Sequence, residues 1–362
     1  MILLLCFTTF LISFALYISN ISIPLYIISK FSATPLMLGI TGFLSSFFYT
    51  LSLFISYKLN FKKHFPWFIF VCLPIGIIYF SMPFLNKFKF FLLFITLNSI
   101  FYSRFWPSVQ SLFVGINEID KYNIFWALGV VGGVFISGIF FKINETLPFF
   151  VCGVLSSLCF LLNILYFEKF LKFYKNLPEK FKTRKKFDKE FKKYVLANTL
   201  NFFCLSAILY LFPKLAREIG YSTITISNII GSLLTVRFLT FLILSRLNLK
   251  PGEKELFFSY SIAGSSILIT GIIKTSILHF ISVSILGISS ALSFKLVFSE
   301  IAKKGYSTEF NETTIGFGWF TGPIFIGFLS NIFGISEGFI LTGLFVLMLY
   351  FFQKFYFLKT PE

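Results

Sequence analysis

Three basic residues, Arg104, Arg237 and Lys295, sit inside long apolar stretches of this 362-residue chain. An ionised side chain in such a stretch is costly, so it marks a cavity, a relay or a binding group by default. The planar fork of arginine suits a carboxylate or a phosphate, whereas lysine offers a point charge. Lys295 is near enough to the end of its stretch for its stem to carry the ammonium to the membrane surface. Arg104 has Glu118 and Asp120 ahead of it as pairing partners. Arg237 lies nine residues before Arg246, about 13 Å along a helix axis, where reaching water by side-chain length alone would be strained. It is the leading candidate for contact with a polar or anionic group of a substrate.

No Asp or Glu falls deep within an apolar stretch. A proton-coupled carrier commonly relies on such a carboxylate, whose pKa burial raises toward neutrality. Simple proton coupling thereby loses support. Proton antiport through Glu118, Asp120 or Glu312 near the ends of stretches, facilitated diffusion and substrate exchange all stay open. Other chemistries are poorly provided for. His64 and His279 lie in different segments without Cys or carboxylate companions, and Cys6, Cys72, Cys152, Cys159 and Cys204 are all in apolar segments. No metal, cofactor or disulfide is expected. With no nucleophile and base pattern and no phosphate loop, an enzyme is disfavoured.

The elements that must position these groups follow from hydropathy. Apolar residues make up 56% of the chain and charged residues 13%, which places it in a bilayer rather than in water. The 56 phenylalanines rise together with Ile and Lys throughout. Biased nucleotide composition accounts for that; an aromatic binding surface is the alternative. Twelve stretches have the roughly 20 apolar residues that a span needs: about 2–28, 36–57, 66–84, 89–113, 123–141, 147–166, 194–213, 224–245, 256–273, 278–299, 313–333 and 338–357. The first lacks a basic leader and a cleavage site, so it reads as a retained span. Short connectors make sequential helices antiparallel neighbours and leave no room for a soluble domain.

One connector is longer. Residues 167–193 carry eleven Lys or Arg and four acidic residues, and they divide the chain into a six-helix bundle over 1–166 and another over 194–362. Phe170, Phe173, Phe181, Phe187 and Phe191 among the lysines fit a basic amphipathic helix on an anionic membrane surface. The net charge of +17 lies mostly in connectors, so it reads as topology and not as nucleic-acid binding. With a cytoplasmic amino terminus, the inside connectors and tail hold 22 Lys and Arg against 7 outside. The positive-inside rule then puts both termini in the cytoplasm of a cell-membrane protein.

A glycine signature occurs twice. Gly129, Gly133 and Gly138 recur as Gly318, Gly322 and Gly327, 189 positions later, with Pro323 inside the second copy. Phe31-Ser32 against Tyr221-Ser222 and Lys58-Leu59-Asn60 against Arg246-Leu247-Asn248 keep nearly the same spacing. Small residues let helix backbones approach closely, and duplicated halves build many carriers. A two-fold rotation about the membrane normal should therefore place Gly129 over Gly318 and Gly133 over Gly322. The glycines read either as packing positions or as a compliant gate.

Twelve helices split six and six, a basic central loop and parallel halves together resemble the major facilitator superfamily. Asn311-Glu312-Thr313-Thr314-Ile315-Gly316-Phe317-Gly318, continuing through Gly322-Pro323 to Gly327, is similar to the helix 11 pattern of a prokaryotic branch of that family. Phe105-Trp106-Pro107-Ser108-Val109-Gln110 resembles its helix 4 pattern. The fifth segment, with Gly129, Gly132, Gly133 and Gly138, resembles the glycine-rich motif of exporters, although Gly133-Val134 stands where Gly-Pro is usual. The loop between the second and third segments keeps basic residues, Lys58, Lys62 and Lys63, but lacks the usual Asp. That departure weakens a charge-relay latch there and leaves the fold expectation intact.

The resemblance implies an all-α polytopic membrane fold whose helices 1, 4, 7 and 10 line a central cavity. Here they would contribute Asn20, Ser22 and Tyr26; Asn98, Tyr102, Trp106 and Gln110; Asn198 and Asn201; and Ser289, Ser290 and Ser293. Each is equally suited to bonding a neighbouring helix. The implied function is secondary transport of a small organic solute by alternating access, with export favoured, by a monomer that uses a small-molecule substrate and a coupling proton or ion. A membrane sensor or scaffold that kept the fold and lost transport is the alternative.

Overall fold

The computed structural model describes residues 2–58, 66–116, 118–175, 189–247, 253–303 and 308–358. Among these the regular structure is helical: α1 (Ile2–Phe31), α2 (Pro35–Lys58), α3 (Trp67–Ser81), α4 (Phe88–Gly115), α5 (Ile119–Ile143), α6 (Leu147–Ile164), α7 (Phe167–Lys175), α8 (Lys189–Ile219), α9 (Thr223–Arg246), α10 (Glu253–Ile272), α11 (Ser276–Lys303), α12 (Thr308–Phe333) and α13 (Ile335–Leu358). Twelve of them are long and apolar enough to cross a membrane. They form two six-helix bundles, α1–α6 and α8–α13.

The repeat is written into helix boundaries. α1 and α8 end at Phe31 and Ile219, and α2 and α9 begin at Pro35 and Thr223, a shift of 188. Each of these connectors turns through a left-handed residue, Ser32 at φ 48° and Gly220 at φ 96°. At Gly220 the Tyr221 N–H wraps back to the Ala216 carbonyl at 2.8 Å, a glycine helix stop. Ser222 then opens α9 by accepting from the Thr225 N–H at 3.1 Å. Pro24 in α1 and Pro213 in α8 are a further equivalent pair.

Packing obeys the same exchange. In the first bundle α1 packs on α5, α2 on α4, and α3 on α4 and α6; in the second α8 packs on α12, α9 on α11, and α10 on α11 and α13. Across the seam the large contacts are α2 with α12 and α5 with α9, which convert into one another when the halves are exchanged. Six spans per half make the second half start from the same side as the first, so equivalent helices run parallel.

Two expectations need correction. α12 begins at Thr308, so Glu312 belongs to its second turn rather than to the connector. Hydropathy starts the span at 313 because it discounts a polar turn that protein, not lipid, surrounds. The amphipathic segment also differs from the membrane-surface helix expected of it. The apolar face of α7 lies on its own bundle, with Phe170 fully buried, its ring 5.2 Å from that of Phe68. Phe167 packs 5.4 Å from Phe70, and the Tyr174 hydroxyl bonds Ser108 at 2.7 Å. Phe181 and Phe187 and the side chain of Phe191 are outside the described residues.

The candidate substrate site and the seam between the halves

The glycines act where backbones cross. A Cβ on Gly129 would meet the Phe10 carbonyl oxygen at 2.5 Å, Ser13 Cβ at 2.7 Å and the Phe14 nitrogen at 3.0 Å, all on α1. A Cβ on Gly318 would meet the Thr199 carbonyl, Phe202 Cβ at 2.8 Å and the Phe203 nitrogen at 2.7 Å, all on α8. The partners shift by the same 189 as the glycines. Gly133 and Gly322 likewise press on the carbonyls of Phe14 and Phe203. Gly129 is thus the counterpart of Gly318 and Gly133 of Gly322, as the spacing predicts.

The third glycine of each set faces the other half. A Cβ on Gly138 of α5 would meet the Thr223 carbonyl (2.7 Å) and Ser227 of α9, while a Cβ on Gly327 of α12 would meet the Pro35 carbonyl (2.8 Å) and Gly39 Cα (2.9 Å) of α2. Pro323 contributes its ring, which lies against Gly42 of α2. These crossings close the seam at the face away from the amino terminus.

The amino-terminal face is closed by polar contacts. Glu312 Oε2 accepts from the Tyr49 hydroxyl of α2 at 3.0 Å, and Oε1 accepts from the Gln110 amide of α4 at 3.1 Å. Gln110 Nε2 also donates to the Tyr122 hydroxyl of α5 at 3.0 Å. Thr50 fills the space over Gly316 one turn further in. Glu312 therefore ties α12 to the first bundle, and no cation pairs with it among the described residues.

Between these two closures lies Arg237. It is 3% exposed, and its guanidinium carbon sits 5.5 Å from the ring of Trp126 on α5, 5.4 Å from Phe202 on α8, 5.5 Å from Phe241 on α9 and 5.6 Å from Phe294 on α11. Each such contact is worth about 2 kcal/mol when desolvated, and together they explain how the charge tolerates burial. Trp126 is held in turn by Tyr17 of α1, edge-on at 6.4 Å. Sequence alone suggests Asn198 or Asn201 as helpers of Arg237. Neither bonds it: Asn198 donates to Thr314 at 3.1 Å and leaves its Oδ1 without a partner, and Asn201 accepts from Ser289 at 2.7 Å. Ring faces from four helices replace them, and no spacing in the sequence could have shown that.

The remaining candidates scatter. Arg104 bonds Ser56 of α2, and Glu118 pairs with Lys121 at 2.7 Å. Lys295 is half-buried and has Asp120 within electrostatic range. Tyr102 shares a network with Tyr79 (3.2 Å) and Ser19, and Trp106 stacks on it at 6.5 Å. Asn98 is buried, its Oδ1 without a partner. Tyr26 accepts from Lys30 at 2.8 Å and donates to the Pro83 carbonyl at 3.2 Å, at the far end of the bundle from Arg237. Ser293 is buried on α11 and bonds within its own turn. Asn20 is half-buried on the α1 face that carries Tyr17, three residues away, and Pro24 cannot bond its backbone carbonyl. His279 lies with Tyr221, which donates to its Nδ1 at 3.0 Å, while Nε2 donates to the Thr270 carbonyl at 3.0 Å. Both ring nitrogens are thus used within the second bundle.

A sequence description of the Major Facilitator Superfamily matches residues 5–304. The chain belongs to that superfamily. It is a multi-pass membrane protein of a transporter family. Solved superfamily-type structures agree over nearly full length. The nucleoside transporter NupG superposes with TM-score 0.73 at 14% identity, covering 99% of each chain. A bacterial homologue of the human lysosomal transporter Spinster, inward-facing and occupied, gives TM-score 0.73 at 14% identity over 99% of this chain and 98% of its own. A POT family transporter in complex with 5-aminolevulinic acid gives TM-score 0.73 at 13% identity, covering 98% and 95%. At these identities the likeness carries the fold. No curated protein sequence matches the chain.

Proposed function

We propose that this superfamily member is a secondary transporter that moves a small organic solute by alternating access and works as an exporter of amphipathic compounds. The observation that carries this reading is the pair of separable closures on one seam. Apolar glycine crossings hold one face and the Glu312–Tyr49–Gln110 bonds hold the other, so either can part while its opposite stays shut. The bodies that rock are residues 1–166 and 194–362, tethered by 167–193. Export is favoured by the glycine-rich α5 and by the apolar surroundings of Arg237. A monomer suffices, because both closures are made within one chain. Glu312, half-buried among neutral donors, is the best-placed group to couple a proton.

Flux in proteoliposomes tests this. At least one amphipathic metabolite from a labelled library should cross in a protein-dependent, saturable manner. A library that binds but never crosses would favour a sensor or scaffold.

The positive-inside count supports a cell-membrane protein with both termini and the 167–193 linker in the cytoplasm. Single cysteines at Lys185 and Ser336 should then react with impermeant maleimide from opposite sides. Reaction of both from one side would overturn the orientation and the span count together.

A further inference from the structure

We propose that Arg237 binds the carboxylate of an amphipathic organic monoanion whose apolar body lies against the surrounding rings. Calling that anion the substrate rests on the transporter reading; the binding site itself does not.

The aromatic faces compensate the charge of Arg237 but leave its hydrogen bonding unmet. A guanidinium has five N–H donors lying in one plane, and the four rings around it carry no oxygen or nitrogen acceptor. Nε is buried without a hydrogen-bond partner, and no carboxylate forms an ion pair with Arg237 among the described residues. Glu312, the carboxylate at the amino-terminal closure, has its two oxygens engaged by Tyr49 and Gln110. What the site lacks is a planar, doubly accepting anion, and a carboxylate fits a guanidinium in that way. A structural arginine would ordinarily be matched by a carboxylate from a neighbouring helix.

The body of the ligand follows from what lies beside the charge. A narrow cleft at Arg237 between α5 and α9 is lined by Trp126, Val130, Leu234, Phe238 and Phe241 and holds about 10 Å³ of free space. Apart from Arg237 its walls are apolar, so a second charge or a sugar would stay unsatisfied there. That is about the room one water needs. An organic ligand enters only as the α5–α9 seam parts, which ties occupancy of Arg237 to the motion of the halves.

Thermal stability of the purified full-length protein is measured with benzoate, phenylacetate and octanoate, each beside its neutral amide. A ligand of the folded state raises apparent stability. At least one carboxylate should do so while its amide does not, and Arg237→Lys should raise the half-saturating concentration at least tenfold. Should the lysine variant fail to fold, Phe294→Leu keeps the guanidinium and removes a ring. It must then retain the preference for carboxylate over amide while binding the aromatic acids more weakly. The proposal is overturned if no carboxylate stabilises the protein, if the amides do equally well, or if Arg237→Lys binds as the parent does. A carboxylate that binds through Arg237 but does not cross liposomes keeps the site and removes the transport reading. A solute carried equally by parent and lysine variant, with no carboxylate binding, does the reverse.

Discussion

Gly322→Leu should leave the protein poorly folded and unable to carry any solute. A Cβ at this position already meets the Phe203 carbonyl and the Ser206 hydroxyl, and a carbonyl cannot swing aside as a side chain can. α8 and α12 would have to separate along their whole crossing. In a bilayer no hydrophobic effect compensates for that loss, since lipid tails are as apolar as the helices; association rests on close packing. Overpacking of this kind costs about 3 kcal/mol, which for one six-helix half lowers the melting temperature by about 6–12 °C. Gly133→Leu should match it, because Gly133 meets the equivalent carbonyl, that of Phe14. The neighbouring Gly132 meets only the Phe14 ring, at 3.1 and 3.3 Å. A ring can tilt, so Gly132→Ala should change stability by about 0.5 kcal/mol or less. Thermal unfolding of the three purified variants checks this, and equal damage from Gly132→Ala would show that backbone approach is not the cause.

Glu312→Ala should open the amino-terminal face without unfolding either half. The substitution removes the acceptor for both Tyr49 and Gln110, which are the cross-seam bonds Glu312 makes at that end. Loss of two such bonds, each about 1 kcal/mol net, favours the parted state by about 2 kcal/mol, or roughly 30-fold. Ser46, buried one turn inside Tyr49 on α2, is the reporter position. In a background lacking the five native cysteines, Ser46→Cys should react with maleimide about tenfold or more faster once Glu312 is alanine. Glu312→Gln keeps one acceptor for Tyr49 and should fall between. An unchanged rate in both variants would mean that Glu312 does not hold the seam.

Much of this architecture was legible before any coordinates. Repeated glycines are readable because close crossing admits almost no other residue, so Gly129 and Gly318 keep their type while Phe10 and Thr199, which they press upon, do not. Backbone atoms are the partners, and backbone leaves no trace in side-chain identity. Pro24 and Pro213 carry the same 189 shift and could have been found by the same search. The pairing of Phe31-Ser32 with Tyr221-Ser222 was off by two, since the left-handed turn aligns Ser32 with Gly220. The surroundings of Arg237 were not legible. Its four rings come from four helices, and in a chain with 56 phenylalanines no ring stands out by sequence. Glu312 was visible but placed outside its span, because hydropathy judges a residue against lipid while Glu312 faces protein.

Transport by this fold requires the two faces to open in turn. Spin labels at Asn123 on α5 and Arg246 on α9 report on the amino-terminal face, and labels at Lys142 on α5 and Asn331 on α12 report on the opposite face; all four residues are exposed. Pulsed electron–electron distances between each pair, in lipid nanodiscs, should show a short and a long population. Introducing Glu312→Ala should move the first pair toward its long distance and the second toward its short one. Two pairs that lengthen together, or that each keep a single short distance with and without Glu312, would contradict alternating access in this protein.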